Sequence, residues 1–402
     1  MYKSVDRLLN QLAEEIDIPD SLFELAEKRY KSVGAWLNRD NSYLNKIGAT
    51  VDIYPHGSAK LGTMIKPTTN LDEFDIDVVC EIKNVSKQTS TQKQVKETLG
   101  KDIKSYAIAN NMLNDPHNGK RCWTLNYHEN AQFHMDFLGA IPNHNMTGIQ
   151  LESHMNSFSK ADHEHYTLAI TDKTSPVYEN ISPNWNISNP KGYFSWFKDK
   201  MSERYRIFKE EFAMESSIDI EAVPEYRVKT SLQKAIQILK RHRDIYFKDN
   251  SDYKVSSIII TTLVAHTYEN NPSIYLTIKS AIENMKKYIK FQDGKYYISN
   301  PVDSQENFAD KWNKDNNYSL FFFRWLQKLE SDFFNDALLG DNVFKETNEI
   351  KILKESLGGV AFENAYGKLL KEKKSSSSSM KLLGGLTSIA SIPKPYGGDK
   401  NK

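Results

Sequence analysis

The sequence predicts an α+β protein with two lobes, in which a mixed β-sheet with helices precedes a mostly helical lobe. The chain has 402 residues, more than the roughly 100–200 residues that one hydrophobic core normally organises. Apolar residues follow helical spacing up to about residue 47, alternate in several segments up to residue 141, and return to helical spacing from residue 190. We therefore expect a first lobe at 1–188, a helical lobe at 189–373 and a tail at 374–402.

The first lobe is expected to begin with two helices and to continue as a small sheet. Apolar residues recur three and four positions apart through residues 1–47, and Pro19 separates the two helices. From Ala49 polar and apolar side chains alternate as in a half-buried strand, and this run stops at Pro55. The further predicted elements are strands at 74–82, 121–127 and 132–141 and a polar helix at 89–112.

The rest of the chain is expected to be loops, then helices, then a tail without structure. Residues 143–188 are polar and lack a clear period, which is typical of long connecting loops with short elements. Helical spacing returns at 190–211 and 228–247, and we expect a buried helix at 258–268, although its three isoleucines also suit a strand. After Lys374 serine, glycine and proline prevail, and such a composition does not bury enough apolar surface to order the chain.

Composition argues against several classes of protein. The 53 Lys and Arg residues balance 52 Asp and Glu residues, so no general positive field exists for coating nucleic acid, and any nucleotide contact should be local. The longest apolar run is far too short to cross a bilayer, and the first residues do not resemble a secretory signal. With two cysteines, Cys80 and Cys122, we expect a reduced, cytoplasmic protein that does not associate with membranes.

A Gly-Ser turn follows the first predicted strand. Gly57 and Ser58 stand where this strand ends, and Gly62-Thr63 follows shortly after. Glycine permits close backbone approach, and free amides with a hydroxyl can hold a phosphate. Taken alone the pair is a weak signal, since most Gly-Ser pairs are ordinary turns.

Carboxylates occupy two of the later strands. Asp75 and Asp77 lie two residues apart in one strand, so both side chains point to the same face while their neighbours enter the core. Asp136 is a single charge among apolar or bulky residues of another strand and could bring in a third carboxylate. Adjacent carboxylates suit Mg²⁺, which takes one or two of them together with phosphate oxygens. The ordinary explanation of Asp-X-Asp is a solvated strand face, but its combination with the Gly-Ser turn and a third aspartate favours a shared site.

Other candidate residues have simpler explanations. His154, His163 and His165 lie in a polar segment without the spacing of zinc ligands, which favours surface histidines. Asp72 and Glu73 crowd the aspartate pair and are expected to end a loop. The two cysteines lie in predicted strands and are expected to be small buried hydrophobes.

The combination of motifs resembles the nucleotidyltransferases of the polymerase-β superfamily, whose pattern is Gly-Ser, Asp-X-Asp and a third Asp on a nearby strand. Within that superfamily the sequence is most similar to the cyclic oligonucleotide synthases of bacterial anti-phage (CBASS) defence, the CD-NTases, which are relatives of cyclic GMP-AMP synthase and oligoadenylate synthase. The likeness spans residues from about 50 to 312. The segments that carry it begin at His56, Glu73, Asn189, Leu232, Ser257 and Glu306.

This resemblance implies a bilobed polymerase-β-like fold with the active site in the cleft between the lobes. It implies attack of a ribose hydroxyl on the α-phosphate of a nucleoside triphosphate, with release of pyrophosphate. Two Mg²⁺ ions, for which Mn²⁺ could substitute, would be held by the catalytic residues Asp75, Asp77 and Asp136. The residues implied to bind the nucleotide phosphates are Gly57, Ser58, Lys240 and Ser257. On charge alone Lys240 could equally lie on a solvated helix face with Arg241 and Arg243.

The resemblance also implies substrates, a product and partners. ATP and another nucleoside triphosphate would be joined into a cyclic di- or trinucleotide second messenger, without an obligatory nucleic acid. A HORMA-type protein or a ubiquitin-like conjugation enzyme would act on the C-terminal tail. Two alternatives stay open: a template-free nucleotidyltransferase that acts on RNA or protein, and a nucleotide-binding module without catalysis.

Overall fold

The computed structural model describes most of the chain. The described residues are 2–68, 74–127, 133–143, 166–216, 219–220, 228–335, 338, 340–345 and 347–386, without the side chains of 305, 341 and 375–386. No helix among these residues is both long enough and apolar enough to cross a membrane.

The described residues form helices in both halves of the chain, and most strands lie in the first half. The α-helices are α1 Lys3–Ile16, α2 Asp20–Leu37, α3 Gly57–Leu61, α4 Gln92–Ala109, α5 Pro190–Ser216, α6 Ser231–Tyr246, α7 Ser257–Thr267, α8 Ile274–Asn284, α9 Asn317–Phe333, α10 Asn348–Leu357 and α11 Gly359–Leu386. The strands are β1 Thr50–Pro55, β2 Phe74–Lys83, β3 His117–Asn118, β4 Cys122–Tyr127, β5 Phe133–Pro142, β6 Leu168–Ile170, β7 Asn186–Ser188, β8 Lys290–Gln292, β9 Lys295–Tyr297, β10 Ser299–Asn300 and β11 Asp303–Asn307.

The main sheet is mixed, as expected, and its strand order is β1-β2-β5-β4-β3. The pairs β1–β2 and β4–β5 are antiparallel, whereas β2 and β5 run parallel. At its other end β5 pairs with β6, and β6 pairs with β7. The α+β class and the predicted strands of the first half are therefore confirmed. The parallel β2–β5 pair matters for function, because it aligns residues that are far apart in sequence.

The sheet and the helices of the second half belong to two different large hydrophobic cores. One core packs the sheet against α2 and α4, and it contains Val78, Leu99 and Phe137. The other joins the helices of the second half with α1, whose Leu8 and Leu12 are fully buried in it. The first helix thus packs with the helices of the C-terminal half. The lobe boundaries at 188 and 373 stay a prediction.

The C-terminal helix is longer than expected. Helix α11 continues to Leu386, whereas the composition after Lys374 predicted an unstructured tail. Its first part is anchored by buried Phe362, Ala365 and Leu369. A helix that is already nucleated extends at little cost, because each added residue forms one more hydrogen bond, and no proline interrupts it before Pro393. The remaining part of the predicted tail, 387–402, lies outside the described residues.

Candidate active site

The parallel pair β2–β5 brings three carboxylates together. Asp77 and Asp136 are direct partners in the β2–β5 register, and Asp75 lies on the same face of β2 as Asp77 because side chains alternate along a strand. Each of the three carboxylates has an oxygen within 4.8 Å of an oxygen of the others. Ile76 and Val78, on the opposite face, are buried in the sheet core. The structure thus brings the three aspartates together, as the sequence predicted.

Positive groups among the described residues offset the negative charge of this triad only in part. Burial raises the pKa of Asp77 to about 7, and the negative charges of Asp75 and Asp136 add to this rise. Lys240 and His134 lower the pKa of Asp77 by a smaller amount. Three convergent carboxylate oxygens form a hard donor set that suits Mg²⁺ or Mn²⁺. These residues therefore fit a divalent metal ion.

Neighbouring strands hold two of the carboxylates in place. Thr124 on β4 is the register partner of Asp136, and its hydroxyl donates a short hydrogen bond to the Asp136 carboxylate. His134 on β5 is the register partner of Asp75, with Nε2 3.4 Å from Oδ1 of Asp75. Neither partner was predicted from the sequence, because cross-strand register is not visible in one segment of sequence.

Gly57 lies directly against the triad. The backbone N–H of His56 donates to the carbonyl of Asp77 at 2.9 Å, which ties the end of β1 to β2. Gly57 then has φ +58°, and a Cβ on it would lie 2.8 Å from Oδ2 of Asp77. Ser58 follows in the first turn of the short helix α3 and lines the cavity beside the triad. Glycine is required here both by the backbone conformation and by the close approach of Asp77.

A cavity of about 1430 Å³ lies over the triad. Residues from both halves of the chain line it: β1, α3 and β2 on one side, and α5, α7 and the β10–β11 region on the other. Asp75 and Asp77 lie in its wall. Lysines that the sequence analysis did not single out also line it, namely Lys60, Lys191 and Lys198. Positive side chains near carboxylates suit a ligand that carries phosphates.

Lys240 is not on a solvated face. Its residue is only 4% exposed, and Nζ donates to the carbonyl oxygen of Thr63 at 2.8 Å. Burial lowers the pKa of Lys240 to about 7, with a further contribution from Arg243. Thr63 lines the cavity, so Lys240 lies behind the wall that Thr63 forms. The alternative of a solvated lysine is wrong, whereas its predicted contact with a triphosphate stays a prediction.

Ser257 is the first residue of α7 and lines the same cavity. Its hydroxyl oxygen accepts a hydrogen bond from Nη1 of Arg243 at 2.8 Å. Arg243 is itself buried and also donates to the carbonyl of Val255 at 3.0 Å. The hydroxyl proton of Ser257 remains available to a ligand. Arg243 is a residue that positions the Ser257 hydroxyl. It could not be told apart from Lys240 and Arg241 by sequence, because all three are basic.

Lys191, which lines the cavity, forms an ion pair with Glu81. Lys191 of α5 donates to Oε2 of Glu81 at 2.8 Å, and Tyr54 of β1 donates to the same oxygen at 3.0 Å. Glu81 lies on the same face of β2 as the triad, since it is four residues after Asp77. Because Lys191 neutralises it, Glu81 does not extend the set of unbalanced carboxylates.

The other candidates from sequence do not add to the site. In the part of the chain that the structure describes, the triad is the one cluster of three side chains suited to a metal ion. His154, His163 and His165, as well as Asp72 and Glu73, lie outside the described residues. Cys80 and Cys122 are free thiols, with Cys80 buried and Cys122 partly so.

Comparison with known proteins gives consistent matches. A family model described as the nucleotidyltransferase domain of cyclic GMP-AMP synthases like DncV matches residues 51–138, which run from β1 into β5. A c-di-GMP synthase of Roseivirga ehrenbergii is 30% identical over 307 residues, which are 76% of this chain and 72% of that protein.

Two solved structures share the fold at low sequence identity. The CD-NTase CdnG of Bradyrhizobium diazoefficiens, in complex with GTP, superposes with a TM-score of 0.66 at 19% identity, covering 89% of this chain and 96% of that one. The cyclic AMP-GMP synthase DncV of Vibrio cholerae, bound to the linear intermediate 5' pppA(3',5')pG, gives a TM-score of 0.61 at 14% identity, covering 89% of this chain and 97% of that one.

Proposed function

The chain belongs to the CD-NTase family of nucleotidyltransferases, and from this we propose that it joins ribonucleoside triphosphates into a cyclic dinucleotide second messenger with the help of Mg²⁺. The bilobed polymerase-β-like fold expected from the resemblance agrees with the two matched structures. Nucleoside triphosphates are the substrates, and pyrophosphate leaves in each transfer.

The observation that carries the proposal is the carboxylate triad, two members of which, Asp75 and Asp77, line a cavity shared by both halves. Asp75, Asp77 and Asp136 converge within 4.8 Å, and the cavity measures about 1430 Å³. Sites for one small ligand usually measure roughly 300–1,000 Å³. The larger volume supports a site that takes a donor and an acceptor nucleotide together.

The triad would hold the metal, and neighbouring residues would hold the donor triphosphate. When bound, Mg²⁺ supplies charge neutralisation at the phosphate oxygens and makes a bound hydroxyl more acidic. In this proposal Asp75 and Asp77 would be metal ligands, and Asp136 would act toward the acceptor and receive the proton of its ribose hydroxyl. Thr124 keeps the Asp136 carboxylate in place for this step.

The triphosphate is assigned to the part of the cavity between Gly57-Ser58 and Ser257. The hydroxyls of Ser58 and Ser257 both line the cavity and can donate to phosphate oxygens. Because Gly57 has no side chain, a phosphate group can come close to the backbone at this position. Lys240, behind Thr63, adds positive charge below the phosphates, and a bound triphosphate would raise the pKa of this lysine again. A second transfer in the same cavity then closes the ring.

The relatives support a guanine-containing product, because one is named as a c-di-GMP synthase. Two alternatives are less well supported. An RNA substrate is disfavoured by the balanced charge of the chain, and a nucleotide-binding module without catalysis is disfavoured by the complete triad. We further propose a cytoplasmic role in anti-phage defence, with the C-terminal tail as the contact for a HORMA-type or ubiquitin-like conjugation partner.

The test is incubation of the full chain with the four labelled ribonucleoside triphosphates and Mg²⁺ or Mn²⁺, followed by phosphatase treatment and mass spectrometry. We expect a phosphatase-resistant cyclic product from the native chain and none from Asp75→Asn or Asp77→Asn, which remove a charged ligand at constant volume. Asp252→Asn, at an exposed carboxylate away from the triad, serves as the control. Label that appears in RNA or protein instead would support the transferase alternative.

A further inference from the structure

An arginine and a glutamate of opposite charge line one part of the cavity. Arg121 directly precedes β4, and Glu306 belongs to β11, so the two come from different halves of the chain. The guanidinium of Arg121 lies near enough to act electrostatically on Glu306. Among the described residues, however, Arg121 pairs with Asp172 and not with Glu306. The two groups therefore face the cavity without closing on each other.

One nitrogen of the Arg121 guanidinium, Nε, is hydrogen-bonded to the protein. Its Nε donates to Oδ2 of Asp172 at 2.9 Å, and Asp172 is only 2% exposed. Asn186 donates to the same oxygen at 3.2 Å, and the backbone N–H of Thr174 donates to the other oxygen at 2.9 Å. The two Nη atoms of Arg121 make no hydrogen bond to a described residue, so a fork of donors is available to a ligand.

Glu306 is held in a similar way by one oxygen. The side-chain amide of Asn300 donates to Oε2 of Glu306 at 2.7 Å. Oε1 accepts no hydrogen bond from any residue that the structure describes. Burial raises the pKa of Glu306, with Asp303 and Asp310 acting in the same direction and Arg121 against it. Glu306 is therefore a half-buried group with one oxygen that no described residue contacts by a hydrogen bond.

Aromatic groups lie in the same cavity. Phe308, two residues after Glu306, lines it and contacts the ring of Tyr193 at 6.1 Å between centroids. Trp185, next to Asn186, also lines it, and its buried indole N–H has no hydrogen-bond partner among the described residues. An aromatic face beside a donor and an acceptor is the arrangement that binds a planar heterocycle.

We infer that Arg121 and Glu306 recognise the base of a guanine nucleotide and select it over adenine. Guanine presents acceptors at O6 and N7, which match the Arg121 fork, and donors at N1 and the 2-amino group, which match the free oxygen of Glu306. Adenine presents an amino donor where guanine has O6, and an acceptor at N1, so both contacts become unfavourable. This inference rests on the proposed function, because it specifies which nucleotide the cavity takes.

The test measures binding and not turnover, with the full chain and non-hydrolysable GTP and ATP analogues in titration calorimetry. Glu306→Gln keeps an acceptor for Asn300 and turns an N–H₂ group toward the base. We expect it to weaken binding of the GTP analogue by about 5- to 100-fold and to leave binding of the ATP analogue equal or tighter. Arg121→Lys keeps the charge but loses the fork, and it should lower the preference for the GTP analogue as well.

Glu283→Gln makes the same chemical change at an exposed position of α8, where Glu283 pairs with Lys279, and should leave both affinities unchanged. Equal weakening of both analogues by Glu306→Gln, or an unchanged preference in both cavity variants, would overturn the inference. The proposed function fails separately, if the native chain binds nucleotides but forms no transfer product from any of the four triphosphates.

Discussion

Replacement of Gly57 by alanine should displace the carboxylate of Asp77. A Cβ at position 57 would lie 2.8 Å from Oδ2 of Asp77, which is 0.6 Å short of the 3.4 Å at which ordinary contact begins. The backbone cannot simply move away, because the adjoining N–H of His56 donates to the Asp77 carbonyl at 2.9 Å. The carboxylate must therefore move. A misplacement of about 1 Å in a catalytic group costs about 100-fold in rate, so we expect synthesis to fall by about 10- to 100-fold.

The matched control is Gly294→Ala. Gly294 also has a positive φ, +73°, but no atom lies within 4 Å of the position of its Cβ, and it is the turn residue between β8 and β9. Both replacements incur the same backbone strain of about 1 kcal/mol, and both should lower the melting temperature by about 2 °C. Only Gly57→Ala should lose activity.

The assay is pyrophosphate release at saturating nucleoside triphosphate, with thermal unfolding recorded for each variant. Because strain is common to both variants, the difference in rate between them isolates the contact with Asp77. If Gly57→Ala retained the rate of Gly294→Ala, the close approach of Gly57 to Asp77 would have no role in synthesis, and the prediction would be refuted.

Three further predictions concern other parts of the site and the tail. Lys240→Met, which keeps the buried volume, should raise KM for the donor triphosphate about 10-fold, because it removes the positive charge behind Thr63. Lys234→Met on the same helix should not raise KM. Equal KM values for the two variants in pyrophosphate-release kinetics would argue against a role of the Lys240 charge in holding the triphosphate. Thr124→Val should raise the Mg²⁺ concentration for half-maximal synthesis about 10-fold, with recovery in Thr124→Ser, and an unchanged metal titration would remove Thr124 from the site. Deletion of 375–402 should leave synthesis intact, because the buried residues Phe362, Ala365 and Leu369 that anchor α11 are retained, while protection against phage in cells falls; full protection would dismiss the tail as a partner site.

The outcome for Lys240 shows where inference from sequence ends. The helix at 228–247 was predicted correctly, since its apolar spacing is a local property. Whether a lysine on that helix is solvated or buried depends on what packs over it, and here the Thr63 segment does so. The tail is a comparable case: its composition predicted disorder, whereas α11 extends to Leu386 from an anchored first part.

Local periodicity in the sequence determined most helices and strands, the common face of Asp75 and Asp77, and the Gly-Ser turn at the end of β1. These features depend on residues within a few positions of each other. Tertiary structure alone decided that Asp136 is the direct partner of Asp77, that Thr124 and His134 hold the triad, and that Arg121 and Glu306 line one cavity. Such contacts join distant segments, and the register and packing that create them follow from the whole fold and not from any one stretch of chain.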